Sequence, residues 1–90
     1  MIVERQHMIK FLFFAQLAEL AERSSLELKY QAGLPAGDYI NLLAKHLPAA
    51  AIVLLRDKST RVSINQTLAS WDDEFSDGDE IGLLPPFSGG

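Results

Sequence analysis

Glu80-Ile81-Gly82-Leu83-Leu84 alternates and then runs without a break into Pro85-Pro86-Phe87-Ser88-Gly89-Gly90. The first five residues read as a strand, with Ile81 and Leu83 facing a core and Leu84 sharing the outer face with Glu80. The prolines fix φ and bias each preceding residue to extended backbone, so the arm should leave the sheet stiffly. Gly89 and Gly90 carry no Cβ and contribute no packing. They make a tip thin enough for a tunnel closed to branched residues. A strand, a stiff arm, a thin tip and a carboxylate on Gly90 together describe a device that delivers cargo from its end. A frayed terminus is the plain alternative for Gly89-Gly90 taken alone.

Composition narrows the chemistry. Ninety residues make one domain with a small core. The chain has no Cys, which excludes disulfides, thiolate nucleophiles and Cys-ligated metals. If it handles sulfur, that sulfur is not on a side-chain thiol. No apolar run approaches the ~18–20 residues of a membrane helix, and the charges within residues 1–7 do not suit a signal peptide. A cytoplasmic location with no membrane partner is therefore expected. Net charge is −4, and six of the twelve acids fall between Asp72 and Glu80. That stretch would repel a phosphate backbone, so no nucleic-acid partner is expected. It is either a solvated loop or a patch that steers the chain toward a basic partner.

Working back from the last strand, residues 1–7 read as a mobile leader, residues 8–84 as the domain and residues 85–90 as a flexible tail. Met8 to Phe14 reads as a strand with Ile9, Phe11 and Phe13 on one face and Lys10, Leu12 and Phe14 on the other. Lys10 marks the second face as outer, which leaves Leu12 and Phe14 as apolar side chains on a solvent side. Ala15 to Arg23 reads as a helix broken at Ser24-Ser25, followed by a strand at Leu26 to Tyr30. Asp38 is the expected cap of a helix carrying Ile40, Leu43, Ala44 and Leu47 and ended by Pro48. Ala49 to Leu55 suits a helix turn by its alanines and a buried strand by Ile52-Val53-Leu54-Leu55, and is taken as a short helix. Thr60 to Asn65 is a strand with Val62 and Ile64 inward, which Asn65-Gln66 leaves. Leu68 to Trp71 is a short segment with Trp71 in the core. Asp77-Gly78 is a turn. Strands plus a covering helical layer give an α+β architecture.

Few residues are arranged for catalysis. No Ser/His/Asp spacing, phosphate loop or helix-borne metal pair is present. His46 has no acidic or hydroxyl neighbour in sequence and reads as a surface histidine. Asp77-Gly78-Asp79-Glu80 lacks the twelve-residue spacing of a calcium loop, so no metal is expected. The group positioned for use is the Gly90 carboxylate. As a poor electrophile it requires activation, most simply as an acyl-adenylate. Attack by a sulfur donor would then leave a thiocarboxylate, and the fold would serve as an address label for partner active sites.

Four stretches, in order, resemble the small-subunit family of molybdopterin synthase, the MoaD family. They are Phe13 to Leu20, Ile64-Asn65-Gln66, Asp77 to Ile81, and Pro85-Pro86-Phe87-Ser88-Gly89-Gly90. The resemblance covers about residues 8–90. It implies a ubiquitin-like β-grasp fold, a mixed sheet covered on one side by helices. It also implies that an E1-like, ATP-dependent adenylyltransferase activates Gly90, with transient AMP and then thiocarboxylate sulfur there and no bound cofactor. The tail, Pro85 to Gly89, would enter the large catalytic subunit of a heterotetrameric synthase. Sulfur would then pass to the cyclic pyranopterin precursor in molybdenum cofactor biosynthesis. By the same resemblance, Phe14, Leu68 and Leu84 dock the partners, although the third position is commonly Phe. A sulfur carrier for thiamine or cysteine synthesis, a ubiquitin-like modifier, and a β-grasp binding module with an inert tail are the alternatives. Asn65-Gln66 and Pro85-Pro86 argue against another sulfur pathway.

Overall fold

Alternation sets the first strand. β1 runs Met8–Phe13, with Ile9, Phe11 and Phe13 almost wholly buried and Lys10 exposed. The computed structural model describes residues 7–86. After β1 come α1 (Ala15–Ala21), β2 (Ser25–Lys29), a single 3₁₀ turn (Ala36–Asp38), α2 (Tyr39–Leu43) and α3 (Ala49–Leu55). Three strands close the domain: β3 (Arg61–Ile64), β4 (Thr67–Ala69) and β5 (Glu80–Leu84). The sheet is mixed, in the order β2-β1-β5-β3-β4. β1 and β5 run parallel at its centre, and the other neighbours are antiparallel.

Register sorts the side chains into rows. On the inner face Phe11 lies opposite Ile81, and Phe13 opposite Leu83, which in turn faces Val62. The helices cover this face with Leu17, Tyr39, Leu43, Ala51 and Leu55, all buried. Phe11, Tyr39 and Phe75 form an aromatic trio with ring centroids 5.0–6.0 Å apart. Phe75 sits in the middle of the acidic stretch, where charge hid its role; its ring is what ties that loop to the core. Trp71 packs against the core's edge and donates its indole N–H to the Thr60 carbonyl at 3.0 Å.

Several local expectations change. α1 stops at Ala21, two residues early, because Glu22 turns left-handed at φ 59°. The Glu22 N–H then bonds the Glu19 carbonyl and the Arg23 N–H bonds that of Ala18, which is a Schellman closure. Asp38 makes no side-chain cap: it lies inside the 3₁₀ turn with helical φ and ψ. The leading donors of that turn are met by backbone from another loop, Ala36 N–H on the Asp73 carbonyl and Gly37 N–H on that of Trp71. α2 ends at Leu43, Ala44 is exposed, and tighter turns carry the chain to the buried Leu47. Asn65-Gln66 leaves β3 as expected, and does so as a two-residue hairpin turn, both at positive φ (48° and 71°), leading into β4.

The ends of the chain are only partly in view. Positions 1–6 of the leader and 87–90 of the tail lie outside the described residues. His7, read as leader, is attached to the body: its carbonyl accepts the Tyr30 N–H at 3.0 Å and its imidazole meets the Asp77 carboxylate.

Two stability outcomes follow from these placements. Phe75→Ala should destabilise the fold by about 3–5 kcal/mol in urea unfolding, whereas Val53→Ala, at a 72% exposed position, should change it by less than ~0.5 kcal/mol. Glu22→Gly should stabilise by about 0.5–1 kcal/mol, because relief of a left-handed non-glycine residue (~1–2 kcal/mol) exceeds glycine's added unfolded-state entropy (~0.5–1 kcal/mol). A thermal midpoint at or below wild type for Glu22→Gly would contradict this reading of the α1 terminus.

Candidate functional site

Parallel strands end at the same edge of a sheet. Phe13, the last residue of β1, lies opposite Leu83, so Phe14 and Leu84 leave the sheet side by side. Antiparallel β3 begins where they end, with Arg61 opposite Leu84. Leu68 joins from β4 through Ser63, its partner in the next row. The result is an apolar hollow of about 600 Å³ lined by Phe14, Leu68, Leu84, Pro85 and Pro86, with Arg61 at its edge. Phe14 is 42% exposed and Leu68 60% exposed, although both are large and apolar.

Backbone geometry places Phe14. Phe14 itself is extended (φ −115°, ψ 151°), and Ala15 then turns left-handed at φ 49° to start α1. Phe14 therefore stays on the outer face while the helix swings to the inner one. Its ring lies over Gly82, the residue opposite both Leu12 and Ser63. A Cβ at Gly82 would collide with Ser63 Oγ and come within 3.3 Å of the Phe14 ring. The missing side chain lets the ring settle onto the sheet.

Of the residues expected at the site, Phe14, Leu68, Leu84, Pro85 and Pro86 come together here. Phe87, Ser88, Gly89 and Gly90 lie outside the described residues. Leu12, grouped with Phe14 and Leu84 on the outer face, is half-buried beside Gly82 and does not line the hollow. Arg61, Ala15 and Gly82 were not anticipated. Alternation around the inward Val62 and Ile64 would have put Arg61 on the outer face, whereas no local signal marks Ala15.

Charge is segregated between the two ends of the sheet. No acid lines the hollow. Asp77, Asp79 and Glu80 sit at the opposite end of β5, where Lys10, Glu27, Asp77 and Glu80 border a polar hollow. Asp77-Gly78 is a turn, with Gly78 at φ 85°. The Asp79 carboxylate is engaged by the Ser76 N–H (2.7 Å) and by the Asn65 side-chain amide (2.9 Å). Asn65 also accepts the Glu80 N–H, so the β3–β4 turn clamps the entry to β5. Among the described residues no cluster of three His, Asp or Glu side chains is placed to hold a metal, and no helix is long and apolar enough to cross a membrane.

Comparison with known proteins fits this geometry. The ThiS family pattern matches residues 11–90. The molybdopterin synthase sulfur carrier subunit of Escherichia coli (strain K12) is 37% identical over 86 residues, covering 92% of this chain and all of that protein. The protein of the same description from Drosophila erecta is 28% identical, covering 91% of this chain and 90% of its own. Among solved structures, SAMP1 from Haloferax volcanii superposes with a TM-score of 0.78 at 27% identity, over 92% of this chain and 99% of its own. A family match over most of the length, a full-length relative at this identity and a shared β-grasp fold lead to one conclusion: the chain belongs to the ThiS family, as a MoaD-type ubiquitin-like sulfur carrier.

Proposed function

We propose that the chain is the sulfur-donating small subunit of a molybdopterin synthase, carrying sulfur as a thiocarboxylate on Gly90. The observation that carries this reading is the apolar hollow at the root of the tail, built by Phe14, Leu68, Leu84, Pro85 and Pro86. Such exposure gives the isolated chain no stability. Covered by a partner, it contributes roughly 25 cal/mol per Å² of apolar area before association costs. The relative's description as a synthase subunit supports a large catalytic subunit as that partner. An E1-like adenylyltransferase would use the same face at an earlier stage.

The chemistry falls to the chain terminus. The Gly90 carboxylate attacks the α-phosphorus of ATP, releasing pyrophosphate and leaving an acyl-adenylate. Hydrosulfide supplied by the activating system adds to the acyl carbon, expels AMP and loses its proton, leaving –CO–S⁻. Within the large subunit that sulfur displaces an oxygen leaving group from a carbon of the cyclic pyranopterin precursor. Water then cleaves the acyl–sulfur bond of the resulting thioester, leaving the sulfur on the product and returning the Gly90 carboxylate. No described side chain of this domain takes a proton or forms a bond in these steps. The body contributes recognition, and Pro85 and Pro86 fix the backbone at the root of the tail.

Intact mass measurement after incubation with ATP, a sulfur source and the cognate activating enzyme tests the loading step. The expected product is heavier by the exchange of one oxygen for one sulfur. A variant with one residue added after Gly90 should show no exchange and keep its circular dichroism spectrum. Exchange in the extended variant, or conjugates to lysines of other proteins in its place, would overturn this assignment.

Docking is tested separately. Phe14→Ala should weaken binding to the large subunit by about 2 kcal/mol, roughly 30-fold in Kd, chiefly through a faster off-rate. Wild-type affinity together with a large loss of folding stability would place Phe14 in the core and remove the docking face.

A further inference from the structure

We infer that Arg61 is a specificity-determining residue of the docking face and takes a carboxylate from the partner at the edge of the apolar hollow. This inference rests on the docking reading above and adds what the partner must present. Arg61 opens β3 directly opposite Leu84, the last residue of β5 before the prolines. Val62 beside it is fully buried, so alternation puts Arg61 on the outer face with Leu84. Its side chain is exposed and is the single charged group among the residues lining the hollow.

Nothing in the described domain neutralises it. Among the described residues, the ion pair that forms is His7 with Asp77, and no hydrogen bond engages the guanidinium. The acid nearest in sequence, Asp57, accepts the Ser59 N–H at 2.8 Å and forms no ion pair with Arg61, and the acidic stretch is elsewhere. Asp77, Asp79 and Glu80 begin at the far end of β5, roughly 13 Å away along the strand. The Asp73 carboxylate accepts the Ser70 N–H, and Glu74 bridges to Pro35 beside the 3₁₀ turn. A chain of net charge −4 thus turns a lone cation toward the surface from which its tail departs.

That location decides the chemistry. A partner that receives the tail must cover its root, and Arg61 lies beside that root, inside the area covered. A guanidinium stripped of water without an acceptor is costly, so a purely apolar or basic wall opposite it would be rejected. Its planar fork fits a carboxylate in two parallel hydrogen bonds, which a point-charge lysine would not reproduce. The partner's complementary group is therefore an Asp or Glu side chain. The acidic stretch, at the other end of the sheet, leaves this contact unopposed.

The test is binding to the cognate large subunit by surface plasmon resonance at low and high salt, using wild type, Arg61→Gln, Arg61→Glu and Phe14→Ala. Arg61→Gln should bind about 10-fold more weakly and lose part of the salt dependence; Arg61→Glu should bind at least ~100-fold more weakly. Both should keep the wild-type melting temperature, since the side chain is exposed. Changing the interface acid of the large subunit to Lys should restore binding to Arg61→Glu and not to Phe14→Ala. Wild-type affinity of Arg61→Glu alongside weakened Phe14→Ala would overturn this inference and leave the docking face standing. Tighter binding by Arg61→Glu would also overturn it, by showing a basic group opposite. Undiminished binding by both variants would remove the docking face itself, and this contact with it.

Discussion

The parallel pairing of β1 with β5 is the constraint on which the rest depends. Antiparallel neighbours can be joined by a tight turn, but a parallel pair needs a long crossover. Here the first and last strands of the domain make that pair, and everything between them is the crossover. The intervening chain covers the inner face with three short helices, adds β2 at one edge, and adds the β3–β4 hairpin at the other. None of the helices exceeds seven residues, too short to persist alone in water. Their stability comes from Leu17, Leu43, Ala51 and Leu55 packing onto Phe11, Phe13, Ile81 and Leu83. Because the pair is parallel, its two C-terminal ends coincide, and the arm departs beside Phe14. One hydrogen-bonding choice in the sheet centre therefore builds both the core and the apolar hollow at its edge.

The two faces of this sheet use side-chain size in opposite ways. Inward, the rows are filled with Phe, Ile, Leu and Val at nearly zero exposure. Outward, the central row reads Leu12, Gly82, Ser63, Leu68, with its two middle positions kept small. That thin place accommodates the Phe14 ring. Phe14 is thus neither core nor free in solvent, but a side chain resting on backbone with one side bare. A ring held this way loses less rotamer freedom on binding than a dangling one, which favours it as an anchor.

Much of this was legible in the sequence because β1 and β5 alternate cleanly and pack as alternation dictates. Ile9, Phe11, Phe13, Ile81 and Leu83 were assigned inward and are buried; Phe14 was assigned outward and is exposed. The features that escaped have no period to reveal them. β4 is three residues long and exists because Asn65 and Gln66 accept left-handed backbone. Phe75 lies among acids whose charge outweighs it in any local reading, yet tertiary packing takes the ring inward and leaves the acids in water. Asp38 was a reasonable cap by residue type. It lost that role because the 3₁₀ turn runs straight into α2, leaving Asp38 with helical rather than extended backbone, and that turn is fixed by the Trp71 and Asp73 carbonyls, more than thirty positions away in the chain. The association of Arg61 with Leu84 likewise needs register between strands, which no single stretch encodes.

Backbone strain marks where this economy is tight. Ala15, Glu22, Asn65 and Gln66 all lie at positive φ, each outside the region natural to a residue with a Cβ. Such conformations cost about 1 kcal/mol or more apiece and persist where surrounding structure over-determines them. Asn65 is compensated at once, by hydrogen bonds to Asp79 and Glu80 that fix the start of β5. Glu22 is compensated by the Schellman closure that turns α1 back toward β2. Ala15 is different. Its side chain makes no hydrogen bond, and its neighbours in space are the lining of the hollow. What holds it is the sheet on one side and the burial of Leu17 on the other, which leave one residue in which to turn from strand to helix. The strain at Ala15 is thus the cost of ending β1 abruptly, and that abruptness keeps Phe14 at the rim beside the departing tail.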